Sequence, residues 1–224
     1  MSDIVQNRET LQDHVYTRLR DEILNAEITP GTSLRVLHLA SRFGTSQAPI
    51  REALRRLSDE GLAVTVPYRG TVARAPSWSE IADIYLLRQE LEAFAVKRIL
   101  ARPKVDLTEV RRAQRQLNRA VRTGDSLKVL DADLELHHQI VALADSPLTL
   151  EMWSFLIKRQ RGARLSLERE YPAAVDSVVE THEALVQSLA DGDAEAAEAA
   201  FRNHISSALD SFARRRLEHN GRLD

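Results

Sequence analysis

Four residues in the second half of the chain are of the types that hold a divalent metal ion: Asp133, His137, His182 and His204. Asp133 and His137 are four residues apart, so on a helix their side chains are neighbours. Placed at about 100° intervals, both fall in the apolar stripe of Leu130, Leu134, Ile140, Val141 and Ala144. His182 lies among Val175, Val178, Leu185, Val186 and Leu189, and His204 beside Ala197, Ala200, Phe201 and Ala208. An aspartate facing the inside of a helical assembly is costly unless it is paired or holds a metal. Three imidazoles and a carboxylate suit zinc first, with nickel, manganese or iron as alternatives, and the lack of cysteine argues against a purely structural zinc knot. A hydrogen-bonded Asp133–His137 pair without metal is the competing reading. His138 and Glu135 fall toward the polar side and read as solvated, while His14, His38 and His219 lack comparable settings.

Arg88 is also out of place, set between Ile81, Ile84, Leu91 and Ala95. Two readings stand: an ion pair with Glu92 one turn on, or a fork presented to a carboxylate ligand.

Capping signals define the elements that must position these side chains. Ser77-Trp78-Ser79-Glu80 reads as a capping box opening a long helix that runs to about Ala101, before Pro103. Asp106-Leu107-Thr108-Glu109 caps a second helix ending near Gly124, and Ser126 opens a third that closes near Ala144. A fourth runs from Leu148 to about Tyr171, Pro172 starts a fifth ending at Asp191-Gly192, and Asp193 caps a sixth reaching about His219. Six helices with short connections and no strand pattern make an antiparallel bundle.

The stretch from Ser33 to Arg74 is organised differently. Val36, Leu37, Leu39, Ala40 and Phe43 have helical spacing, and Gly44 supplies the left-handed turn that ends that helix. Ser46 is the N-cap of a second helix, with Pro49 in its first turn. Ile50, Ala53, Leu54 and Leu57 form its apolar stripe, and Gly61 stops it. Gln47, Arg51 and Arg55 share another face, with Ser46 and Ala48 at the helix start, as a major-groove reader requires. Leu62, Val64 and Val66 alternate as a strand, and Pro67-Tyr68-Arg69-Gly70 turns it back. Arg69 and Gly70 then sit on a wing suited to a phosphate backbone or minor groove, and Arg35 adds a cation. A helix from about Leu11 to Ala26 packs behind through Val15, Leu19, Ile23 and Leu24. The pattern is a winged helix-turn-helix preceded by a polar, frayed start over residues 1–10. Ala75-Pro76 marks the boundary, giving domains of 1–75 and 76–224.

Residues 14–75 resemble the DNA-binding domain of the GntR family of bacterial transcription regulators. The resemblance lies in Leu19-Arg20, Ile23-Leu24, Pro30-Gly31, Leu39-Ala40, the run from Ser46 to Leu57, Glu60-Gly61-Leu62 and Arg69-Gly70. Many members carry Arg where this chain has Gln47, so the implied operator half-site need not be the family's commonest. Residues 77–219 resemble the helical effector domain of the FadR-type branch, through Leu87-Arg88, Leu91-Glu92, Asp133, His137, Thr181-His182, Gly192-Asp193 and His204. That resemblance implies Asp133, His137, His182 and His204 as metal ligands and Arg88 as the residue that takes an effector's carboxylate.

Composition sets the remaining bounds. With 43% hydrophobic and 29% charged residues the chain supports proper cores, and with no cysteine it excludes disulfides and thiol catalysis. The first thirty residues hold no apolar secretory core, and no apolar run approaches membrane-spanning length, so a cytoplasmic location is expected. A net charge of −2 hides an asymmetry: between Ser33 and Arg74 seven arginines face only Glu52, Asp59 and Glu60. A local basic patch is what phosphate contacts need.

The expectation is a mainly α protein, a winged helix-turn-helix followed by an antiparallel six-helix bundle. It would be a homodimeric repressor and not an enzyme, reading an inverted repeat in double-stranded operator DNA. A small carboxylate effector would be sensed through a divalent metal, with no membrane involved. The alternatives are a metalloenzyme joined to a DNA-binding domain, and a regulator whose metal is structural or itself sensed.

Overall fold

The computed structural model describes residues 10–25, 27–74, 76–170 and 178–220. The chain divides into two compact units, Met1–Pro76 and Ser77–Asp224. Among the described residues the secondary structure is α-helical apart from one small antiparallel ribbon.

The first unit holds α1 (Leu11–Leu24), α2 (Val36–Arg42), α3 (Gln47–Asp59), β1 (Ala63–Val66) and β2 (Gly70–Ala73). A capping box starts α1: the Thr10 hydroxyl accepts from the Asp13 N–H, and the Asp13 carboxylate accepts from the Thr10 N–H. Val15, Leu19 and Ile23 of α1 bury against Ile50, Ala53, Leu54 and Leu57 of α3, in the stripe their spacing dictates. Two apolar residues depart from their expected setting. Leu37 is 71% exposed, because the single apolar edge of the short α2 is used by Leu39 and Ala40. Val64 is 39% exposed, because the register pairs buried Ala63 with buried Ala73 and turns Val64 outward. The ribbon also gains a third partner: Gly31 N–H donates to Ala73 O at 2.8 Å, and Leu34 N–H to Thr71 O at 2.8 Å. Gly44 ends α2 at φ 60°, as expected, and Ser46 occupies the N-cap of α3 without a side-chain capping bond.

The second unit holds α4 (Trp78–Leu100), α5 (Thr108–Val121), α6 (Ser126–Leu143), α7 (Pro147–Glu170), α8 (Val178–Asp191) and α9 (Ala194–Asn220). Ser77 accepts from the Glu80 N–H at 3.2 Å, and the Glu80 carboxylate accepts from Arg159 of α7 at 3.1 Å. Asp125 caps α6 through the N–H groups of Leu127 and Lys128 at 3.0 and 3.2 Å. The central helix is α4, which packs along α6, α7 and α9, while α5 lies against α6 and α8. The expected helix ends at Ala26 and Tyr171, the start at Pro172, the boundary residue Ala75 and the face position Val175 lie outside the described residues. No helix among the described residues is long and apolar enough to cross a membrane.

In the first unit, buried Glu22 accepts from Arg18 at 2.9 Å and from Arg42 at 2.8 Å. The Arg42 hydrogen bonds hold its carboxyl below the ordinary glutamate range, against the opposing effect of burial. A lowered folded-state value stabilises above the unfolded one, and that stability is lost as pH falls through it. Glu22→Gln should therefore cost about 1–2 kcal/mol near neutrality. In chemical denaturation at pH 7 and in acid, the gap from wild type should close once the wild-type carboxyl is protonated.

Candidate functional site

The metal-ligand candidates from α6, α8 and α9 converge. Asp133, His137, His182 and His204 each offer a donor atom, and these atoms all lie within 4.8 Å of one another. His182 Nε2 is 2.7 Å from Asp133 Oδ1 and 3.3 Å from His137 Nε2. The His137 and His204 rings stack at 5.3 Å, and the His182 and His204 rings meet edge-on at 4.5 Å. Asp133 and His137, neighbours in sequence, are 4.0 Å apart, so the close carboxylate–imidazole pair is Asp133–His182, which joins two helices.

The outer nitrogens of two imidazoles are already committed. His137 Nδ1 lies 2.7 Å from Glu92 Oε2, and His182 Nδ1 lies 2.7 Å from the Val178 carbonyl. A carboxylate and a carbonyl only accept, so both Nδ1 atoms donate. In neutral rings this leaves both Nε2 lone pairs facing each other and Asp133. Lone pairs and a carboxylate converging out of water need positive charge between them, either a proton or a metal cation. The donor set therefore fits a divalent ion of the zinc, nickel, manganese or iron type.

Electrostatics agree with that reading. Burial alone would raise the Asp133 carboxyl, but His182, His137 and Arg164 hold it well below the usual range. Burial pushes His137 down, and pushes His204 down to about 2 with the neighbouring imidazoles adding repulsion. Neutral imidazoles are the form that ligates metal.

Of the two readings of Arg88, the ion pair with Glu92 is present. It is 2% exposed, and its Nε donates to Glu92 Oε1 at 2.6 Å. Its Nη2 is buried with no hydrogen-bond partner among the described residues, and the side chain lines a cavity of about 190 Å³ shared with Asp133, His182 and His204. A buried donor without an acceptor is costly, and a ligand carboxylate would answer it.

Glu92 is the residue sequence reasoning undervalued. It is fully buried, receives Arg88 Nε and the Trp153 indole N–H at 2.9 Å on Oε1, and holds His137 on Oε2. Its link to Arg88 is legible as an i,i+4 pair; its link to His137 has no local signal. His138 corrects another expectation. It is half-buried against Trp153 at 5.9 Å rather than solvated, because α7 covers that side of α6.

In the first unit Ser46, Gln47, Ala48, Arg51 and Arg55 are exposed along α3, with Arg35 exposed before α2 and Arg69 and Gly70 on the ribbon turn. Arg51 donates to Gln47 at 3.2 Å, so these two groups are already aligned on the helix face. Arg55 is tied to Glu52 at 2.5 Å and Asp59 at 3.2 Å. Arg42 and Arg56 are tied to Glu22 and Asp13, which removes them from the basic patch. Tyr68 at the turn is fully exposed with φ 62°, a strained conformation for a bulky residue.

Comparison with known proteins places both units. Residues 11–72 match the gntR family of bacterial regulatory proteins, and residues 83–207 match the FCD domain. Over 97% of its length the chain is 26% identical to a "Probable D-xylose utilization operon transcriptional repressor" of Paenarthrobacter nicotinovorans, covering 93% of that protein. It is 25% identical to the HTH-type transcriptional repressor RspR of Escherichia coli, over 95% of this chain and 93% of that one. Among solved structures, E. coli McbR/YncC shares the fold, with a TM-score of 0.68 at 23% identity over 92% of this chain and 98% of that one.

Because Glu92 fixes the orientation of His137, Glu92→Gln should weaken zinc binding by about 10- to 100-fold while the helical content holds. Competition against a chromophoric chelator, with circular dichroism alongside, measures both.

Proposed function

Because the chain belongs to the GntR family of bacterial regulatory proteins, in the branch carrying an FCD domain, we propose that it is a homodimeric repressor released from operator DNA by a small organic acid. It is a transcriptional regulator rather than an enzyme, as are the relatives it matches, three of which are named repressors or probable repressors. It acts in the cytoplasm, on residues 1–75 for DNA and 76–224 for effector and metal.

On DNA, α3 enters the major groove, where Gln47, Ala48 and Arg51 meet base edges and Ser46 a phosphate. Arg35, Arg69 and the Gly70 backbone hold the flanking phosphates. Arg55 contributes only by leaving Glu52 and Asp59. The dimer supplies two such helices, and its two-fold axis requires an inverted repeat. Support for a dimer comes from α4 and α7, which pack together and leave Leu86, Leu87, Phe94, Leu148, Met152 and Phe155 exposed in the single chain. Large apolar side chains exposed on two packed helices are the kind of surface that a partner chain covers.

The observation that carries the sensing role is that Arg88 lines the cavity beside the His–Asp cluster while its buried Nη2 has no hydrogen-bond partner among the described residues. Asp133, His137, His182 and His204 would hold a divalent ion, which when bound supplies an electrophilic centre for a carboxylate oxygen. Arg88 grips the acid by a charge-assisted fork, while Glu92 keeps Arg88 and His137 in register. Acid binding then favours a dimer arrangement whose recognition helices no longer match the half-site spacing.

Mobility-shift titration of the full chain on its own upstream DNA tests the scheme. Arg51→Ala should weaken operator binding by about 1–3 kcal/mol, and Arg69→Ala should reduce the slope of log affinity against log salt by about 1. Arg88→Gln should leave DNA affinity intact while abolishing release by organic acids. Unchanged operator affinity across a panel of small acids would refute the sensing role. Phe155→Asp should shift the sedimentation equilibrium toward monomer and weaken operator binding with it.

A further inference from the structure

Helix α5 turns a row of arginines away from the bundle. Val110, Ala113 and Leu117 bury its inner side, while Arg111, Arg115, Arg119 and the C-cap Arg122 are exposed. At about 100° per residue those four fall within roughly 80° of one another, along about 16 Å of helix. Between Thr108 and Arg122 there are five arginines and a single acidic residue, in a chain whose net charge is −2. That acid, Glu109, is taken by Arg112 at 2.8 Å. Arg111, Arg115, Arg119 and Arg122 have no ion pair or side-chain hydrogen bond among the described residues.

Local physics does not favour the row. Like charges four residues apart repel, as at Arg111 with Arg115 and at Arg115 with Arg119. The helix dipole accounts for cations at the C-terminal end, Arg119 and Arg122, and opposes Arg111 near the N-terminal end. The face also lacks what a protein partner grips. From Arg111 to Thr123 its exposed residues are arginine, glutamine and threonine, with no aromatic or aliphatic anchor. Arg111 and Arg115 line a cavity of about 340 Å³ with Gln114 and, on α8, Gln187. The carboxylate in that lining, Glu183, already accepts from Asn118 at 3.0 Å. Guanidinium forks fit phosphate oxygens, which accept them bidentately. One DNA strand presents a phosphate about every 3.4 Å along the axis, so the row spans about four or five of them.

We propose that the exposed side of α5 is a second DNA-contacting surface, which binds the phosphate backbone of duplex DNA without reading its sequence. It adds to the operator contact of residues 1–75. It needs that contact only to bring a duplex close, which raises the phosphate concentration around the rest of the chain.

Fluorescence anisotropy of the full chain on a random-sequence duplex, over a salt series, tests the assignment. Sequence readout is then absent, and each phosphate contact adds about 0.9 to the slope of log affinity against log salt. Arg115→Gln combined with Arg119→Gln should reduce that slope by about 1 to 2. The helical content and melting temperature should not fall, since glutamine is a good helix former and relieves the repulsion. Arg115→Lys combined with Arg119→Lys should keep most of the slope. Lys97→Gln combined with Arg214→Gln removes the same charge from exposed positions on α4 and α9, and should change the slope by less than half as much. An unchanged slope in the Arg115 and Arg119 glutamine variant overturns the assignment and leaves the operator contact standing. An equal fall in the Lys97 and Arg214 variant overturns it too, because net charge then accounts for the effect. A glutamine variant that keeps its slope but loses affinity for poly-glutamate assigns the row to an acidic polypeptide instead. Wild type that binds no duplex at any salt removes the operator contact and the α5 assignment together.

Discussion

An ionised carboxylate sealed from water holds the second unit in register. Glu92 has no exposed surface, and burial alone would favour its neutral form. The Arg88 charge beside it, and then His137, hold it instead well below the usual carboxylate range. A buried anion of this kind is tolerated only with its hydrogen bonds made. Those partners come from three helices: Arg88 on α4 itself, His137 on α6 and Trp153 on α7. Sliding any of these helices by one turn would strand the charge, so the carboxylate sets helix register as well as the His137 tautomer.

That constraint joins the two halves of the candidate site. Glu92 Oε2 fixes His137 with Nε2 inward, and Oε1 fixes Arg88 by Nε while Nη2 has no hydrogen-bond partner among the described residues. Arg88 and His137, the candidate effector contact and a candidate metal ligand, therefore share one carboxylate. In the proposed scheme that shared group would make acid and metal binding interdependent.

The first unit meets its electrostatic problem by sorting its arginines. Seven of them lie between Ser33 and Arg74, yet Arg42 and Arg56 serve the fold by closing onto Glu22 and Asp13 of α1. Arg56 also lies 3.7 Å over the Tyr16 ring, whose hydroxyl donates to Glu60 at 2.6 Å. Arg35, Arg51 and Arg69 are exposed along the edge formed by α2, α3 and the ribbon turn. A chain of net charge −2 thus gathers exposed arginines along one edge of its gntR-family unit.

Much of this architecture was legible from residue spacing. The stripes of α1 and α3, the break at Gly44, the six-helix succession and the inward placement of Asp133, His137 and His182 all follow from a 3.6-residue period, which is local to each helix. Where elements are short, the period says less: Leu37 and Val64 were placed by packing and ribbon register rather than by pattern. Motif spacing likewise marked the Asp–His set that converges, but not that Asp133 would close onto His182 rather than His137. Nor could it show Glu92 bridging Arg88 to an imidazole 45 residues away, or Arg164 and Arg215 meeting on Phe212. The sequence by itself determined which faces are apolar and which ionisable groups must turn inward, since both are properties of one helix at a time. Only the tertiary structure decided which of those groups neutralise one another, because desolvated charges take their partners from whatever neighbouring helices bring within about 3 Å.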